Sequence, residues 1–367
     1  MKISRIPGCG SFGVFIDDVN FETITEEEWI EIGKIHLKEL VTIIRGANIK
    51  RDVFYTFMKK WGKDRLNWAA MLFLKYPWAN GDVDCIRSSP MVEQSDKDLI
   101  EEFVRVRIGG HRELGNILKV TGKKDKDGKR LGMFAEGELL WHSNESGDIA
   151  FTPGVALLAA QGTTKSSTGF MTTTDYYYKV SDSFRSEMDE MVLVHNFTPG
   201  KINPGLNDDQ DNLMYKNMCP DPNTEIPLVI KSPGGIKGLH YSFNTVTGIK
   251  DMNSEDASSV LREIRKGLNT PDYSYDHWYQ NDGDLVLFDN SITQHRRQGV
   301  TKDRVCFRYC YDYTYLQDAP YMPYSQQPYV DSYISRINNI IETLDHEEKD
   351  FLLPTDKYNY GTLKNND

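Results

Sequence analysis

From about residue 134 to residue 312 the apolar segments of this chain are short, and Gly, Pro, Asn or Asp cuts each one off. Gly154-Val155-Ala156-Leu157-Leu158, Ile226-Pro227-Leu228-Val229-Ile230, Asp284-Leu285-Val286-Leu287-Phe288 and Arg304-Val305-Cys306-Phe307-Arg308-Tyr309 are examples. Segments of this length, bounded by turn residues, are strands rather than helices. Many short strands parted by turns close into a barrel or a double-sheet jelly roll. The expected fold class is mainly β with flanking helices.

The flanks carry other signals. Gly13-Val14-Phe15-Ile16 predicts a strand, and Thr25 with Glu28 forms a capping box that opens a helix with Trp29, Ile32, Ile35 and Leu40 at helical spacing. Val41-Thr42-Ile43-Ile44 predicts a further strand, and Val53, Phe54, Phe57, Met58 and Trp61 mark the buried face of a second helix. Within the core, Ser254–Lys266 predicts a helix with Ala257, Val260, Leu261 and Ile264 inward. No internal repeat or separating linker interrupts the chain, so residues 1–367 are read as one domain. Its sections are an N-terminal strand and helix part (1–65), a basic segment (105–130), the β core (134–312) and a Tyr- and Pro-rich extension (313–367). Segment 105–130 carries Arg105, Arg107, Arg112, Lys119, Lys123, Lys124, Lys126, Lys129 and Arg130, and reads as a solvated surface insertion, with a lid as the alternative. In the extension Ile334, Ile337, Ile341 and Leu344 predict a helix that packs on its own domain, with a homo-oligomer contact as the alternative.

Charge and cysteine usage narrow the class of function. With 43 Lys+Arg against 54 Asp+Glu the net charge is −11, which argues against nucleic acid or anionic lipid as main partner. The longest apolar run, Val155 to Ala160, is far below the ~18 residues of a membrane helix. Met1 to Gly13 lacks the apolar centre of a signal peptide. Five scattered cysteines without a CxxC pair fit a reducing, cytoplasmic setting.

Chemistry concentrates around two histidines. In Leu139-Leu140-Trp141-His142-Ser143-Asn144-Glu145 an apolar strand runs into a polar turn, and in Leu285-Val286-Leu287-Phe288-Asp289-Asn290-Ser291-Ile292-Thr293-Gln294-His295 the same transition recurs. Arg304 and Arg308 follow with even spacing, hence on one strand face. Two imidazoles and an oxygen donor on one face of an iron leave positions for a chelating oxoacid and O2, and an inward arginine matches the distal carboxylate of that oxoacid. His36, His195, His240 and His277 are read as structural, and Asp289 and Asn290 as turn-forming.

On these residues the chain resembles the taurine dioxygenase-like group of Fe(II)/2-oxoglutarate-dependent oxygenases over most of residues 1–315. Trp141-His142-Ser143-Asn144 stands where that family has Trp-His-x-Asp, and Asp289 to His295 matches its distal-histidine motif. Ser167-Thr168-Gly169-Phe170-Met171-Thr172 stands at its Gly-Gly-Asp-Thr element. The resemblance implies a double-stranded β-helix (jelly roll) and an Fe(II) centre held by His142, Asn144 and His295. It implies 2-oxoglutarate on Arg304 and Thr172, and a small anionic or zwitterionic substrate on Arg308, hydroxylated with O2 and release of succinate and CO2. One departure stands out: Asn144 replaces the family's carboxylate. Asn144 as a neutral ligand, Glu145 as its substitute, or no third protein ligand are the three readings. A non-catalytic jelly-roll binding protein is the alternative function.

Overall fold

A computed structural model describes residues 1–62, 76, 83–103, 117–128, 131, 138–146, 151–196, 224–317, 321 and 323. The segment around Ile334–Leu344 and most of the basic segment lie outside the described residues.

Seven strands form the main sheet, in the order β1 (Lys2–Arg5), β2 (Val14–Asp17), β3 (Val41–Ile44), β14 (Leu285–Asp289), β6 (Gly154–Gln161), β16 (Val305–Tyr311) and β4 (Leu118–Thr121). Facing it is a four-stranded sheet of β13 (Ser274–Trp278), β7 (Ser166–Thr172), β15 (Thr293–Gly299) and β5 (Leu139–His142). Two smaller sheets comprise β12 (Val246–Ile249), β8 (Val192–His195) and β9 (Thr224–Pro227), and β10 (Val229–Lys231) with β11 (Lys237–Leu239). Nearly all pairings are antiparallel, as two face-to-face sheets of a jelly roll require; β2 with β3 is the parallel one.

Alternation along β14 shows why its sequence is apolar throughout. Leu285 and Leu287 join an outer core with Trp29, Ile32, Phe54, Met58 and Trp61, while Val286 and Phe288 join an inner core with Phe15, Val155, Ala159 and Phe170. The strand is covered on both faces, by helices outside and by the facing sheet inside. Outside lie α1 (Glu26–Glu39) and α2 (Arg51–Met58). Thr25 caps α1 as expected: its Oγ1 accepts from Glu28 N at 3.2 Å and Glu28 Oε2 accepts from Thr25 N at 2.9 Å. Trp29 stacks on Trp61 with centroids 4.5 Å apart. On α2 the buried stripe is Phe54 and Met58; Val53, assigned to it from the sequence, is 37% exposed because it sits one position back around the helix. The helix in the core spans Ser254–Leu268 with Ala257, Leu261, Ile264 and Leu268 buried.

The basic segment needs correction where it is described. Residues 118–121 are the edge strand of the main sheet, with Leu118 opposite Arg308 and Val120 opposite Cys306, rather than part of a solvated insertion or a lid. The lysines of the segment masked a four-residue strand in which Leu118 and Thr121 are buried and Lys119 and Val120 half-buried.

Candidate active site

The register of the four-stranded sheet brings the two histidines together. His142 ends β5 directly opposite His295 on β15, with ring centroids 4.1 Å apart across 153 positions of sequence. Between that pair and the next, Arg297 opposite Leu139, the register slips: a bulge re-aims the end of β5. His142 Nδ1 lies 2.7 Å from the Leu140 carbonyl oxygen. That contact places the proton on Nδ1 and leaves Nε2 with its lone pair. Burial holds the His142 imidazole down to about 4, helped by the charges of Arg308 and Arg297, with the Leu140 carbonyl and Glu145 opposing. Burial, with His142 and Arg308, also keeps His295 well below the ordinary histidine range. Both rings are therefore neutral, the form that binds metals.

Two motif loops are sewn together at this point. Asp289 Oδ1 accepts the N–H groups of Ser291 at 3.0 Å and Ile292 at 2.8 Å, turning the chain from β14 into β15. Asn290 Oδ1 accepts from Asn144 N at 2.8 Å, and its Nδ2 donates to Asn144 O and Thr152 O, each at 2.9 Å. His240 bridges the same loops, with Nδ1 2.7 Å from Ser291 O and Nε2 3.0 Å from Ser146 Oγ. Asp289 and Asn290 thus shape the turns, as expected, and His240 sits behind both histidine loops.

Asn144, two residues after His142, is buried, and its Nδ2 has no hydrogen-bond partner among the described residues. A buried amide without a partner is costly unless something fills that role. No three His, Cys, Asp or Glu side chains gather as a metal site among the described residues. His295 Nδ1 is likewise buried without a partner there. Two neutral imidazoles fit a divalent ion, to which Asn144 can add only its neutral Oδ1, since the unpartnered Nδ2 is a donor that calls for an acceptor.

Deeper in, Arg304 is 2% exposed. Its Nη2 donates to Thr168 Oγ1 at 3.2 Å, its Nε contacts Cys306 Sγ at 3.1 Å, and its guanidinium lies 5.6 Å from the centre of the Tyr279 ring. Thr168 Oγ1 is in turn 2.7 Å from the Tyr279 hydroxyl. Arg304 Nη1 is buried and unpartnered among the described residues. Arg297 is buried close by, and burial with the charge of Arg304 pushes it down to about 9. A buried guanidinium with an open Nη1, beside a second buried guanidinium, fits a carboxylate.

Thr172 is not part of this arrangement. Its Oγ1 donates to Cys9 O at 3.2 Å and it stands opposite Thr293, whereas Thr168 stands opposite Arg297 and touches Arg304. The two threonines are four residues apart, roughly 13 Å along a strand. Both have the parity that faces the core, so only the register selects between them. Sequence reasoning missed Thr168, Tyr279 and Arg297; the even spacing of Arg297 from His295 is the signal that could have found the last. Arg308, expected to be open to a substrate anion, donates from Nη2 to Glu145 Oε1 at 2.6 Å.

Comparison with known proteins agrees with this geometry. The family model described as "Taurine catabolism dioxygenase TauD, TfdA family" matches residues 4–311. No curated protein matches. Among solved structures, AAD-2 in complex with Mn(II) and N-oxalylglycine is similar with TM-score 0.58 at 17% identity, covering 88% of this chain and 98% of its own. A putative alpha-ketoglutarate-dependent taurine dioxygenase from Burkholderia xenovorans gives 0.58 at 15% identity, covering 84% and 88%. A putative alpha-ketoglutarate-dependent 2,4-D dioxygenase from the same organism gives 0.55 at 16%, covering 84% and 97%. A jelly roll that pairs two histidines beside a buried arginine, matched from end to end of its β core, belongs to the TauD/TfdA dioxygenases, and the chain is an Fe(II)/2-oxoglutarate-dependent oxygenase.

Proposed function

We propose that the protein hydroxylates a C–H bond of a small anionic or zwitterionic substrate, with His142, Asn144 and His295 holding iron. The observation that carries this is the cross-strand pairing of His142 with His295, both held neutral by burial. Bound iron with 2-oxoglutarate and O2 supplies the oxidation: one oxygen atom goes to the substrate as hydroxyl, the other to succinate, and CO2 leaves. The chain's own groups position the partners. The Leu140 carbonyl orients the His142 ring, and Asn290 holds the Asn144 backbone on both sides. Arg304 takes the distal carboxylate of 2-oxoglutarate through its open Nη1, with Thr168 in the part that the sequence had given to Thr172. Phe288, 4.6 Å from the His295 ring, and Phe170 wall the site against water.

The charge state supports the same reading: both imidazoles stay neutral because they are buried, so metal has no proton to displace at neutral pH. The reading of a non-catalytic binding protein is not favoured, since residues 4–311 match the model of a dioxygenase family. Anaerobic titration of the purified protein with Fe(II) and 2-oxoglutarate is expected to raise the visible charge-transfer band of the chelate, and His142→Ala to abolish it. A band that survives His142→Ala in folded protein overturns the assignment.

A further inference from the structure

Glu145 is the residue after the position where the family keeps its carboxylate, and its side chain turns into the site instead of away from it. Strand pairing stops at His142, and Glu145 adopts φ +50°, a left-handed conformation unfavourable for a residue with a Cβ. That turn breaks strand alternation and delivers the carboxylate to Arg308, with side chains only 14% and 16% exposed. Glu145 Oε1 accepts from Arg308 Nη2 at 2.6 Å, while Glu145 Oε2 is buried with no partner among the described residues. Both groups stand at the metal-binding histidine: Arg308 and Glu145 act on the His142 imidazole with opposite signs.

Two consequences follow from elementary electrostatics. A guanidinium already paired with a carboxylate offers much less attraction to a second anion, because that anion must also sit near the first one. A buried carboxylate oxygen lacking a donor is costly, and a cationic N–H group satisfies it best. We propose that Glu145 and Arg308 form a dipolar receptor that selects a zwitterionic substrate, its ammonium on Glu145 Oε2 and its anionic group beside Arg308, and that excludes simple anions. This rests on the proposed function and narrows its substrate class. Glu145 is thereby a specificity-determining residue rather than the third metal ligand.

The test uses protein loaded with Mn(II) and N-oxalylglycine, which does not turn over, and two probes that differ only by an amine, β-alanine and propanoate. Isothermal titration is expected to give β-alanine at least about tenfold tighter binding than propanoate on the native chain. Glu145→Gln is expected to reverse the order, with propanoate gaining about tenfold. Adding Arg308→Gln removes that gain, and Arg308→Gln alone weakens β-alanine. No preference for β-alanine on the native chain, or no gain of propanoate in Glu145→Gln, overturns the receptor. Loading is measured first: failure of the native chain to bind Mn(II) with N-oxalylglycine sinks the proposed function instead. Loss of Mn(II) only in Glu145→Gln overturns the receptor and moves Glu145 to the metal.

Discussion

Asn144 exchanges a charge for a dipole at the place where a metal needs the most help. In the proposed ligand set of His142, Asn144 and His295 the protein contributes no negative charge, and Glu145 is engaged by Arg308. Asn144→Asp is therefore expected to tighten Mn(II) binding by about one to two powers of ten, and Asn144→Ala to weaken it about tenfold, read by titration calorimetry. An unchanged affinity in both would remove Asn144 from the metal. At the oxoacid end, the register puts Thr168 and not Thr172 on Arg304. Thr168→Val should then raise the 2-oxoglutarate Kd about tenfold, the worth of one hydrogen bond to a charged group, while Thr172→Val leaves it unchanged. The opposite ranking would restore the assignment drawn from the sequence. Arg304→Gln, which removes the charge while keeping much of the volume, is expected to raise that Kd by about a hundredfold or more with Mn(II) binding intact.

At the scale of elements, the site depends on how firmly helices and strands hold the two loops. The α1 cap is reciprocal, Thr25 to Glu28 and back, so Thr25→Ala should lower unfolding free energy by about 1 kcal/mol in urea titrations without touching metal binding. Gly154, first residue of β6, is a tighter constraint: a Cβ there would lie 2.5 Å from the Tyr311 ring on the neighbouring strand. Most of what the elements are was legible in the chain. The capping box, the β-branched run at Val41–Ile44 and the apolar run of β14 each carry a local signal that the structure obeys. The edge strand Leu118–Thr121 was hidden because it is four residues long and lies among the lysines that follow it in sequence. Glu145 was equally illegible, since parity along a strand predicts the wrong face once the chain leaves the strand with positive φ.

At the scale of the molecule, five of the described histidines, held neutral by their surroundings, set the response to acid. Burial holds His36 near 3, His142 and His240 near 4, and His195 and His295 well below the usual value. Unfolded, each takes a proton near 6.5. Between about pH 6.5 and 4 the unfolded chain thus binds more protons, and stability falls as pH falls, by up to about 1.4 kcal/mol per pH unit for each histidine. Asp289 opposes this: burial raises it to about 7, so the folded chain holds a proton that the unfolded chain releases, and its contribution declines as pH rises toward 7. One carboxyl does not offset five imidazoles. Urea midpoints of metal-free protein followed by tryptophan fluorescence should drop steadily from pH 7 to pH 5; a flat or rising series would show that these histidines are not buried neutral.

By itself the sequence determined the local and the periodic: short strands parted by turns, three capped or amphipathic helices, and two strand-to-turn transitions that each end in a histidine. Those follow from interactions within a few residues, which composition and spacing encode directly. What only the tertiary structure decided is which side chains meet. Register chose Thr168 over Thr172, and packing placed Arg297 beside Arg304 and gave Arg308 to Glu145. The first depends on hydrogen-bond alignment between strands more than a hundred positions apart, where a shift of one residue turns every side chain to the other face, and the other two on how separate elements pack.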